Sequence, residues 1–237
     1  MGCKMKRALR WDELTSEQIK KLDKRLPVVI PVGCVEAHGH LPVGCDNIAA
    51  TALAERACRR TGAILAPGVF YGVIAPGEKD GDIPVTLATF TDYILQVVQG
   101  IYSSGFKKII FVNAHGGNID ALEAVCGEMY ERYDGDVRMA VFNWWLNNIP
   151  AEWECIVQDG AHADRGETDL MLALKPNLIK APPQNSAPYP KQPWYYTPGT
   201  VVDGHPWLAR PVEGKKVLGL VLKNLVGVIR TAMADRS

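Results

Sequence analysis

Carboxylate and imidazole side chains cluster directly after an apolar stretch of this sequence, residues 28–32. Glu36, His38, His40 and Asp46 follow that stretch closely. Carboxylate oxygens and neutral imidazole nitrogens together suit Zn²⁺, Mn²⁺ or Fe²⁺. A loop at the carboxyl end of a buried strand is also where an α/β sheet presents its chemistry. The pattern points to a metal-dependent hydrolase, although a single such cluster is as often an ordinary polar loop.

Two later stretches repeat this combination of side chains. His115 and Asn118 follow the apolar residues 109–112, and the two glycines between them allow backbone to approach a ligand closely. His162 and Glu167 form the third cluster, at a loop that leads into an apolar helix. We interpret all three clusters as following predicted strands, and this common position favours a functional site over three accidents.

Alternating strand and helix patterns position these clusters. Continuous apolar runs predict buried strands, and apolar residues at helical spacing predict the helices between them. Strands separated by helices of this length require crossover connections. We therefore expect an α/β fold, a single-domain three-layer α/β/α sandwich with a mostly parallel central sheet. The predicted strands are 26–32, 63–69, 108–113 and 137–143, and the predicted helices are 47–60, 89–104 with Thr89 at its cap, 118–133, 170–174 and 214–234.

Composition narrows the function classes. The 237 residues carry a formal net charge of zero and no run of Lys or Arg, which argues against nucleic-acid and membrane-surface binding and favours a small-molecule substrate. We expect residues 1–237 to form one domain. Because no apolar run is long enough for a membrane span or a signal peptide, we expect a cytoplasmic protein.

Six cysteines are scattered without a CxxC pair, so we interpret them as reduced thiols. Cys34 and Cys45 flank the first cluster; we favour packing beneath the site loop for both, with metal ligation of one as the alternative. Residues 180–211 are rich in proline and aromatics and predict an ordered loop. That loop forms either a pocket wall or lid, or a packing surface. Trp144, Trp145 and Trp153 similarly fit an interface, a pocket wall or the core.

Three ordered motifs resemble those of the creatininase, or creatinine amidohydrolase, family. They are Gly-Cys-Val-Glu-Ala-His-Gly at 33–39 with Asp46, Asn-Ala-His-Gly-Gly-Asn at 113–118, and the stretch 162–172. The resemblance implies an α/β/α fold, a divalent metal centre, hydrolysis of C–N amide bonds and often a homohexamer. Family members act on cyclic ureas and lactams, a formamidopyrimidine nucleotide and peptides, so the family indicates the chemistry better than the substrate.

The resemblance also implies roles for single residues. Asp46 corresponds to a carboxylate that bridges two divalent ions, and His162 corresponds to a histidine that transfers protons. Glu167 corresponds to the fifth metal ligand, and we also group it with the catalytic residues. The implied ligands of two Zn²⁺, Mn²⁺ or Fe²⁺ ions per chain are Glu36, His38, Asp46, His115 and Glu167.

This sequence departs from the family pattern in four places. Gly117 stands where creatininase has a metal-binding glutamate, and Ala161 stands where a glutamate precedes the histidine at 162. The first loop lacks a proline before His40. We expect His40 to form a hydrogen bond with a residue next to the metal ligands rather than to be a ligand itself. The polar loop 77–86 replaces a stretch that shapes the family's substrate pocket, and its charges favour a polar substrate.

We therefore expect metal-activated water to attack a small cyclic or formyl amide, with His162 protonating the leaving nitrogen. One alternative is hydrolysis of a ring carbon–carbon bond in a cyclic polyhydroxy ketone of the inosose type, because the same site can polarise either carbonyl. A second alternative is a non-catalytic, metal-binding relative. The sequence contains no Gly-x-Ser-x-Gly motif that would favour a serine nucleophile.

Overall fold

The computed structural model describes residues 7–74, 79–147, 149–151, 153, 157, 162–180 and 205–235. Five parallel strands form one sheet in the order β1-β3-β2-β4-β5. The strands are β1 (Leu9–Arg10), β2 (Val28–Val32), β3 (Ile64–Leu65), β4 (Lys108–Asn113) and β5 (Arg138–Asn143). The helices are α1 (Ser16–Lys21), α2 (Cys45–Thr61), α3 (Leu87–Ser103), α4 (Ile119–Arg132), α5 (Arg165–Leu174) and α6 (Pro211–Ala234).

Helices cover both faces of the sheet. Successive strand residues point to opposite faces, so Val29 and Ile110 pack in one core with α2 and α6, whereas Ile30 and Phe111 pack in a second core with α3 and α4. Every residue of β2 and β4 is buried, as expected for central strands covered on both sides. The three-layer α/β/α prediction is confirmed.

The helix predicted at 170–174 begins at Arg165, and two other predicted boundaries were wrong for local reasons. The strand predicted at 63–69 is ordered as β3 over two residues, because Pro67 cannot donate to the ladder, and only a single bridge joins Val69 to Val32. The cap of α3 is Thr86 rather than Thr89, since the Thr86 hydroxyl accepts the Thr89 N–H. The short edge strand β1 was not predicted.

The C-terminal helix α6 closes the first core. Its length and composition alone would allow it to cross a membrane. However, Val217, Val221, Leu225 and Ile229 are fully buried along one face and pack with α2 and α5, which is typical of a core helix in a layered domain.

The tryptophans 144, 145 and 153 belong to this first core. Trp144 is buried, and Trp145 and Trp153 pack against the same cluster while partly exposed. Of the proline-rich stretch predicted as an ordered loop, residues 181–204 lie outside the described residues.

Candidate metal centre

The first two clusters meet because their strands are neighbours. β2 pairs with β4 so that Val32 is in register with Asn113. The loops that follow these strands therefore leave the same edge of the sheet side by side, and they carry Glu36, His38 and His115. Asp46 completes this group from the first turn of α2. Parallel strands thus converge their loops on one site, as the doubly wound architecture predicts.

The third cluster arrives from a helix rather than from a strand. Asp164 caps α5 by accepting the Glu167 N–H, which places Glu167 in the first turn. His162 precedes the cap, and its ring centre lies 4.1 Å from that of His38. The expectation that this cluster follows a strand is not supported by the described residues, in which it opens α5. The structure nevertheless brings all six predicted site residues together.

Imidazole nitrogens and carboxylate oxygens face one another closely. His115 Nδ1 lies 3.2 Å from Asp46 Oδ2 and 3.4 Å from Glu36 Oε2. On the other side of Asp46, His38 Nε2 lies 3.3 Å from Oδ1 and 3.9 Å from Glu167 Oε2. Asp46 therefore stands between two groups of potential ligands, with one carboxylate oxygen turned to each.

Backbone carbonyls fix the tautomers of the three imidazoles. His38 Nδ1 lies 2.9 Å from the Glu36 carbonyl, and His115 Nε2 lies 2.8 Å from the carbonyl of Val73. His162 Nε2 lies 2.8 Å from the Ala37 carbonyl. A carbonyl only accepts, so each of these nitrogens carries the hydrogen. The opposite nitrogen of each neutral ring then turns a lone pair toward a carboxylate, and a cation or a proton must lie between them.

The spacing fits a metal ion. Two nitrogen or oxygen ligands at about 2.0–2.1 Å from a tetrahedral ion lie about 3.3–3.4 Å apart. The closest nitrogen–oxygen pairs of the cluster, 3.2–3.4 Å apart, match this separation. A backbone acceptor on the far ring nitrogen is also what metal-ligating histidines typically have. The donor set therefore suits divalent cations that accept nitrogen and oxygen ligands.

Burial sets the electrostatics of the cluster. Desolvation opposes the charged form of His38, but Asp46 and Glu167 outweigh it and raise the pKa of His38 to about 10. Desolvation similarly opposes ionisation of Asp46, but His38 and His115 hold the pKa of its carboxyl well below the usual range. Burial raises the pKa of Glu167 to about 8. The pKa of His162 is lowered by burial and by the neighbouring His38.

Both flanking cysteines contact the cluster. Cys34 Sγ lies 3.1 Å from Asp46 Oδ2, and Cys45 Sγ lies 3.2 Å from Asp46 Oδ1. Both thiols are buried. The positions predicted to pack beneath the site loop are thus close enough to Asp46 either to donate S–H hydrogen bonds or to share an ion with it.

His40 forms a hydrogen bond with α5. Its Nε2 lies 2.8 Å from the hydroxyl of Thr168, which itself donates to the carbonyl of Asp164. The hydroxyl is therefore an acceptor for His40, and this bond ties the first loop to α5. His40 Nδ1 has no hydrogen-bond partner among the described residues.

Two residues that support the site were missed as such. Asp82 accepts the N–H of Ala37 at 2.6 Å and so holds the backbone whose carbonyl orients His162. Asp82, one of the acidic residues of the 77–86 loop, therefore has a structural role. Asn118 accepts the N–H of Val73 and donates to the Gly33 carbonyl. Its place at a helix start was the only sequence signal for this bracing role.

Comparisons with known proteins identify the family of this chain. The family model for creatininase, described as creatinine amidohydrolase, matches residues 12–229. The mycofactocin precursor peptide peptidase of Mycolicibacterium smegmatis is 30% identical over 241 residues, covering 92% of this chain and 90% of that protein. The 3-dehydro-scyllo-inosose hydrolase of Thermotoga maritima is 28% identical over 176 residues, and the match covers 70% of this chain but only 56% of that protein.

The fold has a close structural counterpart. A creatininase mutant complexed with creatine superposes with a TM-score of 0.77, at 24% identity, over 97% of this chain and 100% of that chain. The family-model match spans most of the sequence, and the three motifs lie within it. The chain belongs to the creatininase family.

Proposed function

We propose that this protein is a metal-dependent hydrolase that cleaves a C–N amide bond of a small cyclic or formyl amide. The observation that carries the proposal is the arrangement of three imidazoles, each held at one ring nitrogen by a backbone carbonyl and turned by the other toward buried carboxylates. Hydrolase names among the relatives and the family match support the same reaction class.

The proposed ligands divide between two ions that share one carboxylate. Asp46, with one oxygen turned to each group of ligands, would serve both ions. The first ion would be held by Glu36 and His115, and the second by His38 and Glu167. When bound, such ions lower the pKa of a water molecule and polarise a carbonyl. We propose Zn²⁺, Mn²⁺ or Fe²⁺, since carboxylate and imidazole ligands accept all three.

His162 is the proposed proton carrier. Its Nε2–H is engaged by the Ala37 carbonyl, so Nδ1, 3.9 Å from Glu36 Oε2, is the nitrogen that can take a proton. A lowered pKa keeps the ring neutral at the start of the reaction and makes its protonated form a stronger acid. As water adds to the carbonyl carbon and the C–N bond breaks, His162 takes the proton of the water and returns it to the leaving nitrogen.

A second candidate reaction is hydrolysis of a carbon–carbon bond in a cyclic polyhydroxy ketone. The name of the Thermotoga maritima relative favours it. The same site would add water to the ketone, and His162 would protonate the departing carbon. We further propose a homo-oligomer, a hexamer by the family resemblance, and cytoplasmic residence.

The test combines metal content with turnover. Metal per chain is measured on the purified protein, for the wild type, Glu36→Gln and the control Glu123→Gln, which changes an exposed carboxylate on α4. The panel holds creatinine, other lactams, a formamidopyrimidine, a short peptide and a keto-inositol. We expect about two ions per chain and amide turnover in the wild type and the control. In Glu36→Gln we expect a lower metal content and lower turnover.

Other outcomes would reassign the reaction. Turnover of the keto-inositol alone would establish carbon–carbon hydrolysis, and turnover of the peptide alone would make the chain a peptidase. A loaded protein that turns over none of the substrates would favour a non-catalytic metal-binding role. Failure to bind any divalent ion would refute the metal centre itself.

A further inference from the structure

One thiol of the cluster occupies the position of a fourth ligand. Cys34 Sγ lies 3.1 Å from Asp46 Oδ2 and 3.8 Å from Glu36 Oε2. His115 Nδ1 faces the same two oxygens at 3.2 and 3.4 Å. All four ligand atoms lie within 4.8 Å of one another, and all four residues are buried. One sulfur, one nitrogen and two carboxylate oxygens thus lie close enough together to share a single ion.

We propose that the Cys34 thiol is a ligand of the ion held by Glu36, Asp46 and His115. The inference rests on the proposed metal centre and adds to it a soft ligand. With metal–sulfur and metal–oxygen distances of about 2.3 and 2.0–2.2 Å, sulfur and oxygen on one tetrahedral ion lie about 3.5 Å apart. The two observed sulfur–oxygen distances lie on either side of that value.

The thiol on the other side of Asp46 is placed differently. Cys45 Sγ shares Asp46 Oδ1 with His38 Nε2, and these three ligand atoms form a triangle without a fourth ligand among the described residues. Glu167 does not close that triangle within the same 4.8 Å limit. The geometry therefore distinguishes two buried cysteines at one carboxylate, and it selects Cys34.

A sulfur ligand changes which ion the site prefers. Thiolates favour Zn²⁺ and Co²⁺ over the harder Mn²⁺ and Mg²⁺, whereas a site of imidazole and carboxylate alone accepts Mn²⁺ more readily. Replacing Cys34 by serine keeps a small side chain but removes the soft donor. We expect Cys34→Ser to lower the ratio of Zn²⁺ to Mn²⁺ affinity at least about tenfold.

Cobalt substitution gives a readout that does not depend on turnover. The full-length protein is loaded with Co²⁺, and the thiolate-to-cobalt charge-transfer absorption is recorded in the near ultraviolet. We expect the band in the wild type, in Cys45→Ser and in Cys58→Ser, which changes a buried thiol elsewhere on α2. We expect Cys34→Ser to bind Co²⁺ without the band.

The opposite results separate the two proposals. Stoichiometric Co²⁺ without the band in the wild type, or loss of the band in Cys45→Ser instead of Cys34→Ser, would overturn the Cys34 assignment and leave the metal centre intact. Absence of bound Co²⁺ would overturn both. Should Cys34→Ser fail to fold, zinc X-ray absorption of Cys45→Ser decides, because a sulfur neighbour at about 2.3 Å is then still required.

Discussion

The hydrogen bond that orients His115 can be broken from the side by a single methyl group. Gly117 lies against this bond, and a Cβ built there would lie 2.1 Å from the Val73 carbonyl oxygen and 2.7 Å from His115 Nε2. The backbone of Gly117 is not in the left-handed region. Alanine is therefore not strained at this position by its backbone conformation, and only the space for its methyl group matters. Gly117→Ala should therefore force the imidazole and its acceptor apart.

The size of the effect follows from these distances. Carbon and oxygen come no closer than about 3.3 Å in ordinary contacts, so the Val73 carbonyl must move by about 1 Å. That movement takes the 2.8 Å bond to the limit of hydrogen bonding. An unsatisfied buried N–H costs about 1–3 kcal/mol, and overpacking costs a similar amount. We therefore expect Gly117→Ala to lower the free energy of unfolding by about 2–5 kcal/mol. Loss of the partner that orients a ligand should weaken metal binding about 10–100-fold.

The neighbouring glycine provides a matched control. A Cβ at Gly116 meets nothing within 4 Å, so Gly116→Ala should stay within about 0.5 kcal/mol of the wild type. Urea denaturation of the metal-free proteins gives the stability difference, and chelator competition gives the Zn²⁺ affinities. Equal affinities and stabilities for Gly117→Ala and Gly116→Ala would refute the claim that the Val73 carbonyl positions His115.

Three further perturbations probe the same region. Thr168→Val keeps the shape of the side chain but leaves the His40 N–H without its partner. Urea denaturation should show that the free energy of unfolding falls by about 1–3 kcal/mol. Burial raises the pKa of Asp169 to about 6. The folded state therefore keeps a proton on this carboxyl that the unfolded state has lost, so the contribution of Asp169 to stability should be lost as the pH rises from about 4 to 6. Asp169→Asn keeps an acceptor for the Arg210 N–H and should remove that loss in melting curves across this pH range. Stripping divalent metal with EDTA should lower the melting temperature reversibly, since a ligand at a hundred times its Kd adds about 2.7 kcal/mol.

The sequence predicted the part of the site that local patterns determine. Uninterrupted apolar runs located β2 and β4, and the adjacency of parallel strands explains why Glu36 and His115 meet. The helix predicted at 170–174 was located, but its cap at Asp164, which places Glu167 in the first turn, was not predicted. The family motifs supplied the roles that these local patterns leave open.

The contacts that orient the ligands were beyond local patterns. Val73 and Ala37 act through backbone carbonyls, which carry no residue-specific signal, and the bond from Val73 to His115 spans 42 positions in the sequence. Asp82 reaches Ala37 across 45 positions. Such pairings depend on how loops fold over the sheet edge, and a single sequence does not record that path.

Charge balance bears on both proposals. The carboxylates of Glu36, Asp46 and Glu167 are paired with imidazoles whose outward nitrogens already carry hydrogen. Three carboxylates would leave the two proposed divalent ions with one surplus positive charge, and an unbalanced charge in a buried site is costly. A thiolate from Cys34 would cancel that charge from within the chain, whereas a serine there would leave it to an anion from solvent. A preference for a soft cation and a neutral metal centre would thus both follow from the same sulfur atom.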